Sequence, residues 1–220
     1  MIASASCDDT IKIWDISFTP IPMTAIHTLE GHTDTVRSLG FSPDGGKIAS
    51  GSDDNTIKIW DISSKATPTL LHTLGAHTEV VRSVCFSSNG TQITSGSDDK
   101  TIKLLDVSTT TSPSTKPIHT LEEHTDMVYS VSFFPNRNMI CSGSRDTTIK
   151  IWDVSSTTSP TLMNTLEGQT KIVLSVSFSP DGNTIVSGSY DRTIKIWTLS
   201  IVNTSEPVER AIREAFKYTK

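Results

Sequence analysis

The chain is expected to be an all-β protein made of tandem antiparallel sheets stacked face to face. Two observations predict this. A block of 33 residues recurs without a gap at 29–61, 74–106, 121–153 and 166–198, and a partial copy occupies 1–15, giving a period of 45 to 47 residues. Inside each block, short runs rich in β-branched residues sit between clusters of Gly, Pro, Asp and Asn. A repeat of this length marks a stacked array, because one thin sheet cannot bury both of its faces alone.

The second copy shows each element in order. VRSLGF (36–41) and KIASGS (47–52) flank the turn SPDGG and read as a strand pair. TIKIW (56–60) alternates apolar and polar positions, and LLHTL (70–74) follows a loop rich in Ser, Thr and Pro. Each unit is therefore expected to be four short antiparallel strands. The first copy lacks its first strand and the last has no obvious fourth, so the array should hold about five units with both end units incomplete. The repeats define one region, 1–200, and residues 201–220 a tail. In the tail, Val208, Ala211, Ile212, Ala215 and Phe216 fall at helical spacing behind Pro207, which predicts a short amphipathic α-helix, to cap the last unit or else to bind a partner. Met1 aligns with Lys47 and with Met139, so the expectation is an open arc or a fragment of a longer parent. Such an arc would expose sheet edges and self-associate through its end units.

Composition narrows the function classes. The 220 residues are 35% hydrophobic and 20% charged, with a net charge of −5. That charge gives no footprint for nucleic acid. No apolar run is long enough to span a membrane. The cysteines Cys7, Cys85 and Cys141 are an odd number in strand-like segments, which fits free thiols in a reducing setting, cytoplasmic or nuclear.

A Gly-His pair near the start of the second copy is followed 28 residues after its histidine by Trp60-Asp61. The same 28 residues separate His77 from Leu105, His124 from Trp152 and Gln169 from Trp197. With the period, these motifs resemble the WD-repeat family of β-propellers over residues 1 to about 198. The resemblance implies a hydrogen-bonded tetrad of Trp, Ser, His and Asp in each blade. In the second copy these are Trp60, Ser50, His32 and Asp54; in the fourth, Trp152, Ser142, His124 and Asp146. The third offers His77, Ser95 and Asp99, with Leu105 in the tryptophan position. The fifth offers Ser187, Asp191 and Trp197, with Gln169 for the histidine; the first offers Ser4, Asp8 and Trp14. An indole N–H donates, a hydroxyl and a neutral imidazole do both, and a carboxylate accepts, so the four groups can satisfy one another.

The serine and the aspartate recur in all five copies, as a requirement of the fold would. A Ser-His-Asp catalytic reading is set aside, because a hydroxyl held by indole and imidazole is no free nucleophile. The chain is thus expected not to be an enzyme, to hold no cofactor and to bind no metal. The histidine pairs His27/His32, His72/His77 and His119/His124 are five residues apart, an odd separation that would turn the two rings to opposite faces of a strand.

Positions that differ between copies are released from the fold. One group opens the first strand: Arg37, Arg82, Tyr129 and Leu174, with Met127 two residues before Tyr129. The other precedes the tetrad aspartate: Cys7, Asp53, Asp98, Arg145 and Tyr190. The resemblance implies that both groups lie on one rim of the propeller. Aromatics, Met and Arg are enriched in interface cores. These residues are therefore candidates for binding proteins or peptides. The expected function is a non-catalytic protein-binding scaffold; the alternative is a regulatory or sensor module of a larger multidomain signalling enzyme or NTPase.

Overall fold

The computed structural model describes residues 1–17, 24–64, 67–108, 116–135, 138–156 and 158–199. Five antiparallel sheets follow one another along the chain. The first contains β1 (Ile2–Ala5), β2 (Ile11–Trp14) and β3 (His27–Leu29). The second contains β4 (Val36–Phe41), β5 (Lys47–Ser52), β6 (Ile57–Asp61) and β7 (Thr69–Leu74). The third contains β8 (Val81–Phe86), β9 (Gln92–Ser97), β10 (Ile102–Asp106) and β11 (His119–Leu121). The fourth contains β12 (Val128–Phe133), β13 (Met139–Ser144), β14 (Ile149–Asp153) and β15 (Thr161–Leu166). The fifth contains β16 (Val173–Phe178), β17 (Thr184–Ser189) and β18 (Ile194–Thr198). Strands pair in chain order within every sheet. The expected C-terminal helix lies outside the described residues.

The alternation in TIKIW explains the stacking. Ile57 and Ile59 point one way and meet Val81, Val84 and Phe86 of the next sheet. Trp60 points the other way and packs with Ile11 and Ile13 of the sheet before it. The third and fourth sheets repeat this, with Ile102 and Leu104 against Val128 and Val131. So do the fourth and fifth, with Ile149 and Ile151 against Val173 and Val176. Each buried isoleucine contributes about 1.5–3 kcal/mol relative to exposure. In the fifth sheet the matching residues Ile194 and Ile196 are 76% and 72% exposed.

Two contacts fix the distance between neighbouring sheets. A Cβ added to Gly51, Gly96 or Gly143 would lie 2.7, 2.7 or 2.6 Å from a methyl of Val81, Val128 or Val173. Only a hydrogen at those positions lets the sheets approach so closely. Beside them, Ser38 Oγ accepts from Val84 N at 3.1 Å, Ser83 Oγ from Val131 N at 3.1 Å, and Ser130 Oγ from Val176 N at 3.0 Å. Each inner strand is thus tied to the next by a hydroxyl as well as by packing.

Candidate functional site

The tetrads sit where the hairpin between second and third strand meets the loop entering the first. In the second sheet, Trp60 Nε1 donates to Ser50 Oγ at 2.9 Å. Ser50 Oγ lies 2.7 Å from His32 Nε2, and His32 Nδ1 lies 2.7 Å from Asp54 Oδ2. One proton arrangement satisfies every group: Nδ1–H donates to the carboxylate and the serine hydroxyl donates to Nε2. Burial lowers the pKa of His32, which favours this neutral ring. Burial alone would raise Asp54, but hydrogen bonds from Thr56, His32 and the Thr33 amide outweigh it and hold the carboxyl at about 2. The serine hydroxyl is wholly buried and held on both sides, so it presents no nucleophile.

The other sheets keep this plan with local substitutions. In the fourth, Trp152 reaches Ser142 at 3.0 Å, and His124 bridges Ser142 and Asp146 at 2.7 and 2.6 Å. In the third, His77 spans Ser95 and Asp99 at 2.8 Å each, while Leu105 is fully buried in the apolar cluster and gives Ser95 no indole donor. In the fifth, Trp197 reaches Ser187 at 2.9 Å. The Gln169 amide satisfies both neighbours when its oxygen accepts from Ser187 and its nitrogen donates to Asp191, at 2.9 Å each. In the first, Trp14 donates to Ser4 at 3.0 Å, and Asp8 accepts from the Thr10 amide and hydroxyl at 3.1 and 2.7 Å.

The aspartates also hold a strained turn. The residue after each has a left-handed backbone: Asp9, Asn55, Lys100, Thr147 and Arg192, with φ from 66° to 73°. Asp and Asn adopt this region at little cost, whereas for the β-branched Thr147 it is strained. In every copy the preceding carboxylate accepts from the amide and the hydroxyl of the threonine that follows, as Asp146 does from Thr148 at 2.9 and 2.7 Å.

The odd-spacing argument for the histidine pairs does not describe this geometry. His32, His77 and His124 stand beyond the last residue of β3, β7 and β11, so strand alternation does not set their direction. Loop backbone turns each ring into its blade, where it finds serine and aspartate. Their partners His27, His72 and His119 lie on the outer strands.

The variable positions occupy the ends of the same two strands. Every inner strand shifts register against its neighbour after the first residue, between Val36 and Ser38, Val81 and Ser83, Val128 and Ser130, and Val173 and Ser175. The skipped residues are Arg37, Arg82, Tyr129 and Leu174. A bulge re-aims a side chain without disturbing the strand beyond it. A backbone hydrogen bond then ties the second variable group to the first. Asp53 N donates to Thr35 O, Asp98 N to Val80 O, Arg145 N to Met127 O and Tyr190 N to Ile172 O, at 2.9 to 3.0 Å. The bulge gave no sequence signal, because no glycine marks it.

All of this repeats with the period of a known family. The family model described as WD domain, G-beta repeat (WD40) matches residues 1–15, 23–61, 68–106, 115–153 and 160–198. The chain belongs to the WD40 repeat family. Its sheets are WD40 blades, and the fold class read from the sequence is the one found. Among curated relatives, 44 residues are 43% identical to the protein transport protein SEC13 of Mycosarcoma maydis. A further 45-residue match is 47% identical to the guanine nucleotide-binding protein subunit beta of Zea mays. The F-box-like/WD repeat-containing protein TBL1X of Mus musculus matches at 47% over 45 residues. Each alignment covers 20% of this chain, and 12%, 11% and 8% of those three relatives respectively. That is one WD40 repeat in each case, so the likeness carries the blade and not the partner.

The side chains at these bulges and turns differ from one WD40 blade to the next. Arg37 Nε donates to Asp53 Oδ1 at 2.7 Å, and its Nη2 pairs with the other carboxylate oxygen. Arg82 grips Asp98 in the same two-pronged way at 2.7 and 2.6 Å, and its guanidinium lies 4.9 Å from the centre of the Tyr129 ring. On the fourth blade the order is reversed, with tyrosine on the bulge and Arg145 on the turn. Arg145 Nε stands 3.6 Å from Asp126 Oδ2, and its Nη1 lies 3.8 Å from Met127 Sδ. On the fifth blade, Leu174 and Tyr190 are exposed, and Lys171 Nζ lies 5.8 Å from the centre of the Tyr190 ring.

Proposed function

We propose that this chain is a non-catalytic scaffold that binds a protein or peptide on the rim formed by the bulges and tetrad turns. One observation carries the reading. The residues repeated in every copy are consumed by hydrogen bonds inside the blades, whereas the residues that differ gather at the bulges and tetrad turns, where Arg37, Arg145, Leu174 and Tyr190 are exposed, Tyr129 is half-buried and Asp98 is buried. A chemical site would need a polar group free to react, and the recurring Ser-His-Asp sets have none. Met127, Tyr129, Arg145, Leu174 and Tyr190 supply the aromatic, thioether and guanidinium surface that interface cores favour. Arg37, Arg82, Asp53 and Asp98 form a charged flank whose partners are already in place, suited to orientation more than to affinity. The free thiols Cys7, Cys85 and Cys141 accord with an intracellular, reducing setting.

The test is capture of partners by the immobilised chain, compared with a Tyr129→Ala/Tyr190→Ala variant of unchanged circular dichroism. Loss of the captured proteins is expected. An unchanged set of partners overturns the rim as the binding face.

A further inference from the structure

The rim changes chemistry along the array. On the second blade it presents Asp34, Arg37 and Asp53, with Asn55 at the turn; on the fifth, the same four positions hold Lys171, Leu174, Tyr190 and Arg192. Formal charge at these positions thus passes from one negative to two positive, although the whole chain carries −5. The third and fourth blades lie between these extremes, each balanced.

The arginines differ in what they hold. Arg37 and Arg82 each have a carboxylate on both prongs of the guanidinium. Arg145 has no such partner: its nearest carboxylate oxygen is 3.6 Å away, and the two side chains are 49% and 38% exposed. A planar guanidinium matches a carboxylate through two parallel hydrogen bonds, and twice in this molecule that is how a rim arginine is satisfied. At Arg145 the fork has no carboxylate on both prongs and is half-exposed, beside the Met127 thioether and on the blade that carries Tyr129. The next blade adds Lys171 over an aromatic ring and the exposed Arg192.

We propose that the rim of the fourth and fifth blades binds an acidic peptide segment, with one Asp or Glu carboxylate on the Arg145 fork. This rests on the rim being the binding face. Lys171 and Arg192 attract the neighbouring acidic residues, and Tyr129 and Tyr190 pack against the apolar ones. The ion pairs of the second and third blades keep the peptide from spreading around the rim, because their cations are already matched.

Fluorescence anisotropy with the full chain tests this. The probes are a labelled peptide of Asp and Glu interspersed with Leu, its Asn/Gln counterpart, its Lys counterpart, and a labelled single-stranded oligonucleotide. The acidic peptide is expected to bind, more weakly as salt is raised. The amide and Lys peptides should bind at least about tenfold more weakly, and Arg145→Gln should weaken the acidic peptide by about tenfold. Lys171→Gln should weaken it several-fold, and Lys47→Gln, at the far end of β5, should change nothing. Equal binding of the acidic and amide peptides, indifference to Arg145→Gln, or tighter binding of the oligonucleotide each overturns the inference. If the acidic peptide fails while Tyr129→Ala/Tyr190→Ala still strips captured partners, the acidic ligand falls and the rim stands. If that double variant also captures normally, both fall.

Discussion

Asp54 shows how one residue serves turn, tetrad and backbone together. Its carboxylate accepts from His32, the Thr33 amide, and the Thr56 amide and hydroxyl. Unfolded, it would titrate near 3.8, and folded it titrates at about 2. His32 likewise titrates below its ordinary 6.5 because burial disfavours its charge. In both groups the unfolded chain takes up the proton first, so stability falls as pH is lowered. The loss begins below 6.5 through the histidine and deepens from 3.8 towards 2 through the carboxylate. Asp54 alone should account for about 2 kcal/mol. Urea midpoints measured across this range should fall for the wild type, and Asp54→Asn should start lower and show a flatter acid limb. At the equivalent turn of the fourth blade, Thr147 holds a left-handed backbone that asparagine adopts more readily. Thr147→Asn should raise stability by about 0.5–1 kcal/mol, read from the same midpoints. Asp54 and Asp53 were separable in the sequence only because the copies could be compared. What Asp53 does was not visible there. Its two-pronged contact with Arg37 depends on a bulge, and a bulge made by arginine, tyrosine or leucine leaves no mark in residue type.

At the scale of the element, the strands were legible and the joints between sheets were not. Alternation in TIKIW places isoleucine on one face and tryptophan on the other, so a sheet buried on both sides follows from the residues themselves. Gly51, Gly96 and Gly143 gave no such signal, since a strand glycine marks a close approach without saying to what. The structure supplies the answer in the valine methyls of the next blade. Gly96→Ala should therefore cost about 1–3 kcal/mol through overpacking. Gly188 has nothing within 4 Å of the added Cβ, so Gly188→Ala in this chain should be neutral or slightly stabilising by thermal melting. The third blade differs at another element. Leu105 fills its place in the core but leaves Ser95 without an indole donor, a loss of about 1 kcal/mol. Amides of β8–β10 should exchange hydrogen faster than those of β4–β6, and slower exchange would refute this.

For the whole molecule, the main contacts among the described residues run within a blade or between consecutive blades, so stability is close to a sum of blades and joints. The end positions therefore carry least. Ile194 and Ile196 match Ile57 and Ile59 in sequence but not in burial. Ile57→Thr should cost about 2 kcal/mol in urea denaturation, whereas Ile194→Thr should change stability by less than about 0.5 kcal/mol. Equal costs at the two sites would mean that the fifth blade is covered as the second is.

The serine hydroxyls between inner strands have a further consequence. Ser38, Ser83 and Ser130 make the same bond to the same backbone position of the following blade. A tie that is the same at successive joints carries no address. The bond itself does not distinguish one of these blades from another, so recombination between near-identical stretches that removed or added a whole copy would leave this tie between inner strands in place. Such an exchange would change the order of the variable side chains at the bulges and turns. If these positions form the binding face proposed above, heredity can edit it in steps of one blade while the blade-to-blade tie stays the same.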